Sequence, residues 1–354
     1  MVISKLSTIL NDNHSAIIIS SPENRRYFTG FPSSDGFLVV TPLEAIFFTD
    51  SRYIEAAKNA EKHFKARLLT RASKEILGYL QENNITSVFL ERERLTVAEF
   101  ENFKKIFKPV RVVASKSVEK KINALRRTKA KEEVENIKKA QKIAEDAFND
   151  VLSFIKPGVT EREIALHLDF YMLSHGAEAL SFETIAVAGK KTSMPHGVPD
   201  ENVVCDGDFV TMDFGAVVNG YHSDMTRTVA VGNVSPEQKK VYEIVLQAQL
   251  CALEKLKCGV SCKDADAAAR DIITSAGYGE YFGHGTGHGV GIEIHESPSL
   301  SPRSEEILKM NDIVTVEPGI YLPGKFGVRI EDMARITKKG YENLTDAPKE
   351  LIIL

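Results

Sequence analysis

The chain has 354 residues, more than one ordinary hydrophobic core requires and enough for two domains. Hydrophobic residues make up 43% and charged residues 27%, the balance of a soluble globular protein, and a formal net charge of −4 leaves no basic footprint for nucleic acid or an anionic membrane surface. The longest apolar runs, such as "FLVV" and "AIFF", are strand-sized and too short to cross a bilayer.

The N-terminal stretch "MVISKLSTILNDNHSAIIIS" carries one early lysine, is soon interrupted by polar residues and has no small-residue cleavage pattern, so no signal peptide is expected. Over residues 1–115, "SAIIIS", "GFLVV", "AIFFT", "FKARLL", "TSVFL" and "VRVVA" read as strands. "SRYIEAAKNAEK", "ASKEILGYLQEN" and "TVAEFENFKKIF" between them have helical spacing. That alternation predicts an α/β layer domain over residues 1–120, with no histidine or cysteine cluster and a structural or substrate-gating role. A second domain is expected over residues 121–354. It opens on one long amphipathic helix, with Leu125, Val134, Ile137, Ala144, Ala147 and Val151 near one face and Pro157-Gly158 ending it. The basic cluster "RRTKAK" is followed at once by "EEVE", so it reads as a solvated helix face rather than a nucleic-acid patch. Cys205, Cys251, Cys258 and Cys262 form no pairing framework. The C-x3-C of the last two has no second ligand pair nearby, and the expectation is a reduced cytoplasmic protein.

The second half repeats itself. "VLSFIKPGVTEREIA" (151–165) resembles "ALEKLKCGVSCKDAD" (252–266), each with a Thr or Ser placed to cap the next helix. "PHGVP" matches "IHESP", which aligns His196 with His295. "GDFVTMDFGA" matches "NDIVTVEPGI", aligning Asp213 with Glu317, and "HSDMTRT" matches "RIEDMAR", aligning Asp224 with Glu331 to within one residue. Each repeat therefore supplies two acids in β-rich runs, where an unpaired carboxylate is costly. If the repeats pack about an approximate twofold axis, four carboxylates converge and need compensation, for which divalent ions such as manganese, cobalt or zinc suit the oxygen-rich set. Taken singly, each acid could instead be a turn residue or a partner of Arg227, Arg329 or Arg335.

The stretch "HGTGHGVGIEIHESP" (284–298) places three histidines among glycines. Its G-x-G-x-G-x-G spacing does not fit a phosphate loop, no HExxH occurs, and so much glycine argues against a helix. His288, flanked by Gly287 and Gly289, is the best nitrogen ligand to complete the carboxylate set. A strict period of two would put His288 and His295 on opposite faces, so a bend or bulge is expected between them. His222 reads as a strand-surface residue.

"MDFGAVVNGYHSDMTRT", "HGTGHGVGIEIHESP", "TVEPGIY" and "GVRIEDM" together closely resemble the M24 metallopeptidases, within them the aminopeptidase P and prolidase branch. "ENRRYFTGFPSSDGFLVVTPLEAIFFTDSRY" is similar to the creatinase/prolidase N-terminal domain. The resemblance implies an α/β domain of that type followed by an α+β pita-bread catalytic domain with an internal pseudo-twofold repeat. It implies two divalent metal ions, manganese first and cobalt or zinc as alternatives. Asp213 would chelate one ion, His288 and Glu317 would serve the other, and Asp224 and Glu331 would bridge them. His196, His295 and Arg329 match family positions around the substrate, and His284 and Tyr321 match positions near the cleft. Glu317 is also a candidate proton shuttle. The implied activity is hydrolysis of Xaa-Pro bonds in proline-containing peptides, first as an Xaa-Pro aminopeptidase and alternatively as a prolidase restricted to dipeptides. A homodimer is implied as well. A metal-free creatinase-like hydrolase and a non-enzymatic binding protein are the competing readings, and the intact acid and histidine set argues against both.

Overall fold

A computed structural model describes residues 2–354, and two compact units divide the chain after Arg126. In the first unit the elements in chain order are α1 (Val2–Ser7), β1 (Ser15–Ile19), α2 (Pro22–Thr29), β2 (Phe37–Val40), β3 (Ala45–Thr49), α3 (Ile54–Asn59), β4 (Lys65–Leu68), α4 (Ala72–Glu82), β5 (Ser87–Glu91), α5 (Val97–Ile106), β6 (Arg111–Ser115) and α6, which begins at Lys116. The strands form one mixed sheet in the order β4-β3-β2-β1-β5-β6. All six expected strands and all three expected helices are present; α1 and α2 have no counterpart among the expected elements. Both sheet faces are covered, which is why β1 is apolar at nearly every position. Ile17 and Ile19 join one core while Ala16 and Ile18 join the other, as the two-residue period of a strand requires.

The long helix expected at the start of the second domain is two helices, α6 (Lys116–Arg127) and α7 (Lys131–Val151), separated by Thr128, Lys129 and Ala130. The basic cluster at this break is buried, not solvated: Arg126, Arg127 and Lys129 keep 4%, 7% and 2% exposure. Arg126 donates to Asn24 Oδ1. Arg127 grips both oxygens of Asp312 and donates to Glu306 and the Ile307 carbonyl, while Lys129 pairs with Glu296. These acids lie about 170–185 positions further along the chain, so local charge patterning could not reveal them.

After α7 come α8 (Glu161–Ser174), β7 (Ala179–Leu180), β8 (Ile185–Ala188), β9 (Phe209–Phe214), β10 (Ala216–Val218), β11 (Tyr221–His222) and β12 (Met225–Ala230). The second repeat contains α9 (Pro236–Lys255), α10 (Cys262–Ser275), β13 (Gly287–Gly289), β14 (Glu296–Leu300), β15 (Ile313–Val316), β16 (Gly319–Leu322), β17 (Phe326–Arg329), β18 (Asp332–Ile336) and β19 (Tyr341–Asn343). One core packs α7 and α8 on β8, β9 and β12 through Phe148, Leu168, Met212 and Met225. The other packs α9 and α10 on β15 and β18 through Val245, Leu253, Val314 and Ala334. The first aligned block is matched in its backbone hydrogen bonds. Gly158 N–H donates to Val204 and Val204 N–H to Val159, as Gly259 does to Leu308 and Leu308 to Val260. Thr160 and Ser261 cap α8 and α10 as their alignment predicts, and each also forms an isolated β-bridge, to Val203 and to Ile307.

Candidate metal centre

Two antiparallel ladders bring the acids together. In the first, β9 pairs with β12, so Asp213 lies opposite Thr226, and Asp224 immediately precedes β12. In the second, β15 pairs with β18; Glu317 follows β15 and Glu331 precedes β18. The two ladders meet where the Glu331 N–H donates to the Thr226 carbonyl at 3.1 Å. Ligand atoms of Asp224, His288 and Glu331 all lie within 4.8 Å of one another. His288 Nε2 is 3.5 Å from both Asp224 Oδ2 and Glu317 Oε1.

The glycine-histidine stretch supplies β13, whose Gly287 lies so close to β15 that a Cβ would meet the Thr315 carbonyl. The pairing of β13 with β14 shifts register between His288 and Gly289, the irregularity expected there, and the His288 and His295 rings meet edge to face at 4.4 Å. His288 Nδ1 is 3.1 Å from the Gly289 carbonyl, so the proton belongs on Nδ1 and Nε2 is left as a lone pair facing the acids. Burial holds this imidazole near 4, well below its ordinary value, which keeps it neutral at pH 7.

Burial works the other way on the acids. Desolvation, with repulsion from neighbouring carboxylates, raises Asp224 and Glu331 well above the carboxylate range and pushes Glu317 up to about 8. Among the described residues, Asp213 Oδ1 and Glu331 Oε1 are buried without a hydrogen-bond partner. A neutral imidazole nitrogen, clustered carboxylates that resist ionising together and two orphaned buried oxygens are the chemistry a divalent cation satisfies, so these residues fit a metal centre.

Arg329 is buried behind the acids. It donates to Asp213 Oδ2 at 2.6 Å, Thr226 Oγ1 at 3.1 Å and Tyr321 Oη at 3.0 Å. Tyr321 Oη lies 2.9 Å from His284 Nε2, and His284 Nδ1 is 2.8 Å from the Gly285 carbonyl, so the tyrosine donates to the ring. Desolvation lowers His284 to about 4 and raises Tyr321 to about 12, so both are neutral. His196 and His295 are solvent-exposed and line the same cavity of about 680 Å³ as the acids, His284, Tyr321 and Arg329. Phe182, Ile185, Val198 and Ile294 add apolar wall. Every residue singled out in the sequence for this site reaches the cavity. Arg303, in the loop after β14, is exposed and outside its lining. His222 is half-buried rather than superficial, and its N–H holds the Gly291 carbonyl at 2.9 Å.

Four supporting residues escape the sequence reading. Thr226 Oγ1 donates to Glu331 Oε2 at 2.7 Å, and Thr315 Oγ1 donates to Glu317 Oε1 at 3.3 Å. Each threonine sits two positions from an acid of its own strand region, and that spacing on one face was the available signal. Asp266 and Arg270, paired at i,i+4 on α10, hold the segment from below: Asp266 accepts from Thr286, and Arg270 donates to the His284 carbonyl. Nothing local in the sequence marks them.

The chain is similar to the Xaa-Pro dipeptidase of Pyrococcus furiosus, 38% identical over 350 residues, covering 98% of each. Among solved structures it is similar to an Xaa-Pro dipeptidase from Bacillus anthracis, with 40% identity, a TM-score of 0.95 and coverage of 100% of this chain and 99% of that one. It is also similar to an X-Pro aminopeptidase from Thermotoga maritima, with 36% identity, a TM-score of 0.91 and coverage of 96% and 97%. Residues 3–128 match the creatinase/prolidase N-terminal domain and residues 135–338 match metallopeptidase family M24. The fold and the metallopeptidase character expected from the motifs are therefore found together: the chain belongs to metallopeptidase family M24.

Proposed function

We infer that this protein is an Xaa-Pro aminopeptidase, a metal-dependent hydrolase that releases the residue preceding proline from the N-terminus of a peptide. The observation that carries the reading is the convergence of Asp224, His288 and Glu331, from both repeats, in a cavity that also holds Asp213, Glu317 and two exposed histidines. Asp213, Asp224, His288, Glu317 and Glu331 would hold two divalent ions, manganese first and cobalt or zinc as alternatives. When bound, the ions supply Lewis-acid polarisation of the scissile carbonyl and a nucleophilic water at neutral pH.

The chain's own residues do the rest. Glu317, as a carboxylate, takes a proton from the attacking water and passes it to the leaving nitrogen. That transfer matters because the prolyl nitrogen has no hydrogen of its own in the peptide. His196 and His295 donate hydrogen bonds to the substrate backbone and to the carbonyl oxygen as it gains charge, a contribution of roughly 10²–10³ in rate for one such donor. Arg329 fixes Asp213 and Tyr321, and His284 fixes Tyr321 from the far side. The apolar wall suits a pyrrolidine ring.

The length of the substrate follows from charge. A dipeptidase must hold a C-terminal carboxylate beside the scissile bond, usually with a cation. Among the described residues lining the cavity, Arg329 is the only lysine or arginine, and Asp213 already engages it. The absence of a free cation from that lining favours longer peptides. The second reading, a dipeptidase, is favoured by the names of the Pyrococcus and Bacillus anthracis proteins. Comparing turnover of Xaa-Pro with Xaa-Pro-Yaa decides between them. Asp224→Ala or Glu331→Ala is expected to abolish hydrolysis and lower bound metal, and activity that survives chelation removes the metallopeptidase reading. A homodimer and a cytoplasmic location are part of the proposal; no described helix is long and apolar enough to cross a membrane.

A further inference from the structure

Lys129 and Glu296 form an ion pair that none of the steps above uses. Their charged groups are 3.1 Å apart, and the side chains keep only 1% and 5% exposure. Removing two charges from water is costly, and such a pair is better suited to holding a particular geometry than to adding stability.

The geometry it holds is the turn that carries His295. Glu296 Oε1 accepts the backbone N–H of Glu293 at 3.0 Å, while the Gly291 N–H donates to the Glu293 carbonyl at 3.0 Å. A Cβ on Gly291 would lie 2.6–2.8 Å from the Glu296 carboxylate, so the chain is folded tightly over that group. Between Glu293 and Glu296 lie Ile294 and His295, both lining the cavity. On the other side of the pair, the Lys129 N–H donates to the Asn311 carbonyl at 3.1 Å, so the lysine is fixed at its own backbone. Its neighbour Glu133 is occupied by the Ala130 N–H at 2.7 Å and by Tyr221 Oη at 2.8 Å.

We propose that Lys129 is a positioning residue, which acts through Glu296 to aim His295 at the substrate. The inference rests on the substrate-facing role given to His295 above. Without the ammonium, Glu296 is a buried carboxylate lacking its counter-charge; it turns towards water and releases the Glu293 N–H, and the turn loosens with it. A displacement of about 1 Å at a catalytic group can cost roughly 10²-fold in rate.

The test is a double-mutant cycle on kcat/KM for an Xaa-Pro peptide, with bound metal measured in each variant. Lys129→Met is expected to lower kcat/KM by roughly tenfold or more, mainly in kcat, with metal per chain unchanged. In His295→Ala the same substitution should add less than about twofold, because the group it positions is gone. Losses that multiply, or a Lys129→Met enzyme within about twofold of wild type, overturn the proposal. If Lys129→Met does not fold, Glu296→Gln replaces it in the cycle, since it breaks the charge pair while preserving shape. A crystal structure of the variant supplies a readout independent of activity: His295 displaced supports the proposal, and His295 unmoved overturns it. Should wild type cleave no Xaa-Pro peptide, the functional reading fails, and the position of His295 still decides this one.

Discussion

Metal-free protein should lose stability as pH rises from 6.5 to 8, and Glu317 sets the size of the effect. Its carboxyl is pushed from 4.5 to about 8 by burial, so across this window the folded chain keeps a proton that the unfolded chain has released. Stability falls wherever the folded state binds more protons, so the contribution is full below 4.5 and gone above 8. Below 6.5 the picture is mixed, because His284 and His288, held near 4, favour the opposite slope between 4 and 6.5. From 6.5 to 8 those histidines shed only the remaining half of their unfolded-state protons, a smaller opposing contribution, and the acids dominate. Glu317 then accounts for about 2 kcal/mol, since one pKa unit is worth about 1.4 kcal/mol. Asp224 and Glu331, also raised, act with the same sign. For a catalytic unit of this size the expected fall in Tm is roughly 4–8 °C. Calorimetry of chelator-treated protein at pH 6.5, 7.2 and 8.0 measures it, with Glu317→Gln as the control that makes the slope shallower. Stability that is level or rising over that range in the wild type, or an equal slope in Glu317→Gln, refutes the account of the buried acids. Added divalent metal should reverse the trend, because it displaces the same protons.

Other substitutions probe separate links. Asp312→Ala leaves the buried Arg127 guanidinium with Glu306 as its remaining counter-charge and two donors unpaired, and should destabilise by about 1–3 kcal/mol in urea unfolding, without touching the cavity. Gly287→Ala drives a methyl group against the Thr315 carbonyl and displaces His288; a loss of at least about tenfold in metal affinity is expected by titration calorimetry. Arg329→Lys cannot reach Asp213, Thr226 and Tyr321 together, and steady-state kinetics should show kcat/KM reduced by roughly 10–100-fold with the fold intact by circular dichroism.

Much of this protein could be read from its sequence because the relevant signals are local or repeated. The strands of the first unit show as short β-rich runs between helical ones, since a sheet covered on both faces is apolar along its length. The metal-binding candidates show because an acid in a β-rich run is costly wherever it stands alone, and because the repeat places such acids twice in the same order. Even the irregularity at His288/Gly289 follows from the two-residue period of a strand and the need to bring two histidines to one cavity.

Partners distant in sequence were decided only by the tertiary structure. "RRTKAK" looks solvated because the sequence shows its charges and not the acids that neutralise them; Asp312, Glu306 and Glu296 arrive from the second repeat and turn a surface pattern into a buried one. The same holds for Asp266 and Arg270 under the histidine segment and for Thr226 beneath Glu331. Residue type and spacing in the chain determined which groups could do chemistry. Packing of the two repeats determined which groups hold them in place, because buried polar side chains are satisfied by whatever the fold brings within about 3 Å.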